Sequence, residues 1–335
     1  MIGERSRTNV LGHAAMLACL GLVALGATVP SAVAQDWPGS KPIKFIVPFP
    51  AGGGTDILSR VIAQRLTESR KWSIFIENVG GAGGNIGANA AAKSQPDGYT
   101  MVMGQTSNLV INPSLYSKLP YNPQKEFAPV VLVADLPVVL LVRAGSPFKS
   151  LGDLIKAAKE KPGTITFATP GVGTVSHLAG ELIKQTAKID LQHVPYRGAS
   201  QASIDTISGQ TQVLIGSMAS VISQIRSGDL RAIAVTSAKR SETLPDVPTV
   251  AEQGLPNFVA TTWYGILVPA GTPPAIIGTL NSAINAELGT PSVREKIALE
   301  GGVAIGGTPE HFADVIKTDA VKWAEVVRAS GAKVD

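Results

Sequence analysis

Apolar and polar positions along the chain switch period repeatedly. Ile43-Lys44-Phe45-Ile46-Val47 is a short, mostly apolar run of strand length. Leu58, Val61, Ile62 and Leu66 then recur at helical spacing, which places one apolar stripe against a sheet. The same alternation continues with strands expected at 73–77 and 99–103 and an Ala-rich helix between them.

Two longer extended paths stand out. Pro129 to Val142 is apolar except at Asp135, with Pro137 beside it, and Thr261 to Val268 forms a second such run. Between them the alternation restarts: helix 150–161, strand 164–168, helix 174–187, strand 190–194, helix 199–207, strand 211–215 and a strand at 231–236. Three helical patterns follow Val268. Strand–helix alternation of this kind predicts an α/β architecture with mostly parallel sheets. Two extended crossings predict that a second domain, residues 137–262, is inserted into a first built from 36–136 plus 263–335. Two lobes joined by two strands make a hinge with a cleft between them.

The first 34 residues change that picture only by being set aside. Arg5 and Arg7 precede an apolar stretch from Val10 to Val29, and Ala32-Val33-Ala34 is a small-x-small cleavage site, so 1–34 reads as an export signal peptide. An uncleaved anchor, or lipid attachment at Cys19, is the alternative. Cys19 is the only cysteine, so a chain cut after Ala34 has no disulfide, thiol nucleophile or cysteine metal ligand. Without Glu4, Arg5 and Arg7 the formal net charge falls from +4 to +3. Basic residues are scattered singly among acids, which argues against nucleic acid as a partner.

Three Gly-rich segments each follow an expected strand. Phe49-Pro50-Ala51-Gly52-Gly53-Gly54-Thr55-Asp56 sits at the carboxyl end of the first strand, where open α/β sheets bind ligands. Glycine lets backbone N–H groups converge, and a helix start adds its positive end, so the loop suits an anion. It lacks the Gly-Lys-Ser/Thr ending of a phosphate loop. Asp56 either complements the helix dipole, beside a Thr55 cap, or orients the ligand.

Gly80-Gly81-Ala82-Gly83-Gly84-Asn85-Ile86-Gly87 contains G-x-G-x-x-x-G but no ribose-binding acid follows at the next strand end. A tight turn with close helix–sheet packing is the expectation there. Thr169-Pro170-Gly171-Val172-Gly173-Thr174-Val175-Ser176-His177 lies in the inserted domain and supplies a second anion cradle, with hydroxyls able to donate or accept.

Catalysis finds little support. His177, His193 and His311 show no HxxxH or HExxH pairing, and Gly216-Ser217-Met218-Ala219 fails as a nucleophile elbow. No cofactor, metal or enzyme activity is expected.

Together these segments, with Pro96-Asp97-Gly98-Tyr99, His193-Val194-Pro195-Tyr196-Arg197-Gly198, Leu244-Pro245-Asp246-Val247-Pro248-Thr249 and Pro269-Ala270-Gly271-Thr272-Pro273, resemble the Bug family. That family comprises the periplasmic receptors of tripartite tricarboxylate transporters. The resemblance implies a two-lobed type II periplasmic binding-protein fold, a monomer that closes on a small carboxylate and meets the membrane components of a transporter. By position it implies that Phe49, Ala51, Gly52, Gly53 and Asp56 hold one end of the ligand. Thr106, Ser107 and Asn112 would line the first-lobe side of the cleft. Thr169, Gly171, Gly173, Thr174 and His177 would hold the distal end. Ile215-Gly216-Ser217 departs from the phenylalanine, aspartate and asparagine that members often carry, which lowers the expectation of an amino-acid ligand. An exported sensor subunit, or a dinucleotide-dependent enzyme, is the alternative reading.

Overall fold

The computed structural model describes residues 37–334. The predicted signal peptide lies outside the described residues.

The strands are β1 (Ile43–Val47), β2 (Ile74–Asn78), β3 (Thr100–Gln105), β4 (Phe127–Arg143), β5 (Thr166–Thr169), β6 (Gln192–Pro195), β7 (Val213–Ser217), β8 (Leu230–Val235), β9 (Thr261–Pro269) and β10 (Val303–Ala304). The helices are α1 (Gly54–Arg70), α2 (Asn85–Ala92), α3 (Asn112–Leu115), α4 (Leu151–Glu160), α5 (Val175–Ala187), α6 (Ala199–Ser208), α7 (Met218–Arg226), α8 (Pro274–Leu288), α9 (Pro291–Leu299) and α10 (Pro309–Ser330). A π-turn over Ser107–Ile111 leads into α3.

The strands run in the order β2-β1-β3-β9-β4-β7-β5-β6, with β8 and β10 also on β4. On one side β1 is parallel to both β2 and β3, and β9 returns antiparallel between β3 and β4. On the other, β5 is parallel to β6 and β7, with β4 antiparallel to β7 and β8. This is the type II periplasmic binding-protein fold: two α/β lobes joined by two hinge strands with a cleft between.

β4 is the shared element. Its residues Phe127 to Pro137 pair with β9, and from Val138 on it pairs with β7 and β8. Pro137 stands at the change of partner, where a missing N–H is least disruptive to a ladder. Thr236, just after β8, ties the crossing together. Its hydroxyl accepts from Val138 N–H at 3.0 Å and lies 2.6 Å from the Ala260 carbonyl, while Ala260 N–H donates to the Thr236 carbonyl at 2.9 Å.

β1 and its flanking helix show why the sequence settles this way. Ile43, Phe45, Ile46 and Val47 are fully buried, and Leu58, Ile62 and Leu66 of α1 are the stripe that covers them. Lys71 ends α1 in the left-handed region.

Three short elements and one longer helix escape the periodicity. The π-turn, α3 and β10 are too short to show a period. α7 does carry the helical spacing Met218, Val221, Ile222 and Ile225, directly behind Gly216-Ser217. β5, β6 and β7 each begin about two residues later than expected. Their ends are set by pairing, and at β5 also by Gln212, whose Oε1 accepts from Thr166 N–H at 2.8 Å.

The lobes also touch away from the hinge strands. Thr243 donates to the Ala298 carbonyl at 2.8 Å and Arg226 to the Leu299 carbonyl at 3.2 Å, so residues between β4 and β9 grip the C-terminal end of α9.

Candidate functional site

The loop after β1 is built around Asp56. Its Oδ2 accepts the Gly52 N–H and the Arg60 Nε–H, each at 2.9 Å, and its Oδ1 accepts from Asn78 Nδ2 at 3.0 Å. Asn78 also donates to the Phe49 carbonyl at 3.1 Å, fastening the end of β2 to the loop. Burial works against the Asp56 charge, but the bonds from Arg60, Gly52 and Asn78 outweigh it and hold the carboxyl below its ordinary value. Asp56 is therefore an internal brace of the loop. The Gly52 N–H faces this brace.

The helix cap is Gly53, not Thr55. Gly53 has extended backbone, and no side chain caps α1. Ile57 N–H is the first to bond back, to the Gly53 carbonyl at 3.0 Å. The N–H groups of Gly54, Thr55 and Asp56 thus lack intrahelical acceptors, as at any helix start. They carry the positive end of the helix dipole.

Gly54 stands where three elements meet. A methyl group there would lie 3.0 Å from the Tyr264 hydroxyl of β9 and 3.3 Å from the Ala219 methyl of α7. α7, like α1, has no side-chain cap. Ser217 at its N-cap pairs its hydroxyl with Ser220 at 2.7 Å and is hydrogen-bonded to Tyr264. Burial pushes the Tyr264 phenol well above its ordinary value, so it stays protonated. Two uncapped helix starts from opposite lobes converge here.

The second glycine run makes the close packing expected of it: a methyl on Gly87 would lie 2.5 Å from the Val79 carbonyl oxygen. It also reaches the cleft. A methyl on Gly84 would sit 2.8 Å from the Phe49 ring, and Gly83 accepts from Asn112 Nδ2 at 3.0 Å.

Behind it, Thr106 is fully buried and its hydroxyl accepts the Trp263 N–H at 3.0 Å, tying this wall to β9. Ser107 opens the π-turn, and its carbonyl accepts the Asn112 N–H. π-turns recur at functional sites because the extra residue redirects side chains.

On the other lobe the loop after β5 folds on itself. Thr174 caps α5 by accepting the His177 N–H at 3.2 Å and donates to the Gly171 carbonyl at 2.8 Å. Thr169 Oγ1 lies 2.7 Å from His193 Nε2. Gly173 N–H donates to His177 Nδ1 at 3.3 Å, which leaves the His177 proton on Nε2. His177 and His193 stack with ring centres 4.1 Å apart, and Phe167 stacks on the far face of His193 at 4.9 Å. Burial, with Lys184 nearby, pushes His177 down to about 4; burial, His177 and Lys184 push His193 down to about 3. Both rings are neutral at pH 7.

The loops face each other. A methyl on Gly173 would lie 2.3 Å from Leu115 and 3.4 Å from Asn112 Oδ1, so the loop after β5 abuts the π-turn wall. The structure thus gathers Phe49, Gly53, Thr106, Ser107 and Asn112 on one side and Thr169, Gly171, Gly173, Thr174 and His177 on the other. Ala51 and Gly52 are exposed at the loop tip. Asn78, Asn85, Asn108, Ser220 and Tyr264 are not among the residues expected at the site, while Ser217 falls in the segment whose departure from the family pattern bears on ligand choice. Asn78 could have been, since it ends β2 at the edge of the sheet where ligands bind.

Among the described residues no group of His, Cys, Asp or Glu is arranged to hold a metal ion, and no helix is long and apolar enough to cross a membrane.

Residues 58–332 match the model of the tripartite tricarboxylate transporter family receptor. The chain belongs to this family. The receptor is 40% identical over 308 residues to a protein of the tcbD-tcbE intergenic region of Pseudomonas sp. strain P51, covering 91% of each chain. It is 38% identical over 320 residues to BugT of Bordetella pertussis, covering 95% of this chain and 98% of the other. Among solved structures, Rpa4515 of R. palustris with adipate superposes with a TM-score of 0.85 at 33% identity, covering 89% of this chain and all of that one. MatC from Rhodopseudomonas palustris with bound malate superposes with a TM-score of 0.78 at 31% identity, covering 85% and 98%. The matched family is one of receptors rather than enzymes, and this chain shares the fold of the two solved structures.

Proposed function

We propose that the protein is an exported receptor that captures a small carboxylate by closing two lobes, residues 36–136 with 263–335 and residues 137–262. The captured acid, a di- or tricarboxylate or an aromatic acid, is then presented to the membrane components of a tripartite tricarboxylate transporter. Residues 1–34 serve as a cleaved signal peptide and the mature receptor works as a periplasmic monomer. The adipate and malate bound to the two relatives support a carboxylate ligand.

One observation carries this reading: the uncapped starts of α1 and α7, from opposite lobes, meet at Gly54 and Ala219. Two positive dipole ends repel when brought together, and an anion between them turns that repulsion into attraction to both lobes. The acid closest to α1, Asp56, is already held by Gly52, Arg60 and Asn78, so it does not fill that role. Backbone N–H groups hold a carboxylate by charge-assisted hydrogen bonds without a buried arginine. On this reading Phe49, Ala51, Gly52, Gly53 and Asp56 build the proximal end, and Thr169, Gly171, Gly173, Thr174 and His177 the distal end. Thr106, Ser107 and Asn112 form the wall between.

A thermal-shift screen of the mature protein against mono-, di- and tricarboxylates, aromatic acids included, tests the proposal. A ligand at 100 times its dissociation constant stabilises the folded form by about 2.7 kcal/mol. A protein whose melting point responds to nucleotides or sugars but to no carboxylate is not this receptor.

A further inference from the structure

The segment from Arg240 to Thr249 takes no part in the glycine loops, yet the structure holds it rigid. Arg240 Nε meets both Glu252 oxygens, at 3.1 and 3.0 Å, and its Nη1 donates to the Pro245 carbonyl at 3.2 Å. Glu252 in turn accepts the Thr249 N–H at 2.7 Å. Val235 N–H donates to the Pro248 carbonyl at 3.0 Å and Val250 N–H to the Val235 carbonyl at 2.9 Å, so the far end is stitched to β8. Leu244 and Val247 pack on the core that holds Met218, Val221 and Ile222 of α7. Pro245 and Pro248 each fix one further backbone angle. The segment is a stiff strap fastened to β8 and α7.

Strap and helix both reach across to the end of α9. The Thr243 hydroxyl donates to the Ala298 carbonyl at 2.8 Å, and Arg226, the last residue of α7, donates to the Leu299 carbonyl at 3.2 Å. The last carbonyls of a helix lack intrahelical donors and carry the negative end of its dipole, so a hydroxyl and a guanidinium are the partners they call for. Glu300, half-buried, adds an opposite charge beside Arg226. Met218, the first residue of α7, lies against Gly301, where a methyl group would overlap its side chain. Three side chains of one stretch thus converge on residues 298–301.

We propose that the strap and α7 form a clasp: as the lobes close, Thr243, Arg226 and Met218 engage the end of α9 and hold the closed form. This rests on the two-lobed closure in the reading above. Every donor and acceptor in the clasp belongs to the chain, so it engages without a ligand, and closed protein is populated before an acid arrives. α7 couples the clasp to the cleft, because Ala219 near its start stands beside Gly54 while Arg226 at its end holds α9. An anion that draws the start of α7 toward α1 therefore acts on the same rigid helix that fastens the clasp.

Double electron–electron resonance between spin labels at Ile86→Cys and Ile204→Cys tests the proposal with no ligand present. Both positions are exposed, on α2 and α6, and the sequence's only cysteine, Cys19, is absent from protein lacking residues 1–34. The ligand-free protein is expected to show a short and a long distance. Thr243→Val removes one hydroxyl and leaves the anchors of the strap in place. It is expected to lower the ratio of short to long about fivefold, the worth of one hydrogen bond. Arg226→Met is expected to act in the same direction, and Thr243→Ser to restore the wild-type ratio. A strap that only stiffens the fold would lower the melting temperature of Thr243→Val and leave the distances alone, which overturns the proposal. A single distance shared by wild type and Thr243→Val overturns it too. No ligand enters the measurement, so its result stands apart from the carboxylate screen that tests the receptor reading.

Discussion

Gly52 donates its N–H to Asp56 Oδ2 at 2.9 Å, so the acid inside the first glycine loop shapes that loop from within. The same carboxylate takes Arg60 and Asn78, and Asn78 in turn holds the Phe49 carbonyl. Asp56→Ala therefore unties the loop from both α1 and β2. Asn78 loses an acceptor at a buried carboxylate, a loss typically of about 1–3 kcal/mol. Urea unfolding is expected to show a free energy lower by that amount, and ligand titration a weaker affinity. A variant with wild-type stability and affinity would show that the loop keeps its shape without the brace.

Gly53 makes a cleaner test of the site. Its backbone is extended, and a Cβ there would meet only the Pro50 carbonyl oxygen, at 3.8 Å. Valine fits both the conformation and the space, yet stands directly before the free N–H groups of α1. Gly53→Val is expected to keep the wild-type melting point while carboxylate binding falls by at least a hundredfold. Retained affinity would remove the first loop from the site.

These two glycines show how far the sequence could be read. The glycine run at a strand end, and its likeness to a known receptor family, located the loop and the facing Thr169–His177 segment. The division of labour inside it was hidden, because nothing in FPAGGGTD says that Asp56 would be met by Asn78 from the next strand. Thr106 was legible as a cleft residue, but its bond to Trp263, 157 positions away, is a tertiary fact. Periodicity found the long helices and the hinge strands, and it failed where elements were short, at the π-turn and β10. Asn108 closes the polar stretch Gln105-Thr106-Ser107, where one more polar residue gives no hint that its amide lacks a partner.

Gly301 tests the contact between lobes on the side of α9. It lies just past that helix in the left-handed region, with φ 76°, and a methyl there would come 1.9 Å from Met218 Cγ at the start of α7. Overpacking of this kind costs about 1–3 kcal/mol when the neighbours must shift. If the proposed closure is right, with Met218 in the lobe that closes over the first, Gly301→Ala is expected to weaken ligand binding. Small-angle scattering of the ligand-saturated variant is expected to show a larger radius of gyration than the wild type. An identical radius and affinity would mean that Met218 moves aside freely.

The stacked histidines make the fold sensitive to mild acid. An unfolded chain protonates His177 and His193 near 6.5, whereas in the folded protein burial holds them neutral to about 4 and about 3. Below 6.5 the unfolded state binds more protons, so stability falls as pH falls, and the loss continues until the folded rings begin to titrate near 4. Each histidine contributes a slope of up to about 1.4 kcal/mol per pH unit in that window. Asp56 acts in a lower window, because its folded carboxyl sits below the ordinary value and its stabilisation is lost only as pH falls past it. Urea midpoints measured at half-unit steps from pH 8 to pH 4.5 are expected to be flat above 7 and to drop steadily below 6.5. His193→Phe keeps an aromatic face against Phe167 and His177 and removes one titrating group, so its slope is expected to be about half. A wild-type profile flat to pH 5 would mean that the rings accept protons in the folded state, and that the stack opens to water far more readily than its 4.1 Å spacing implies.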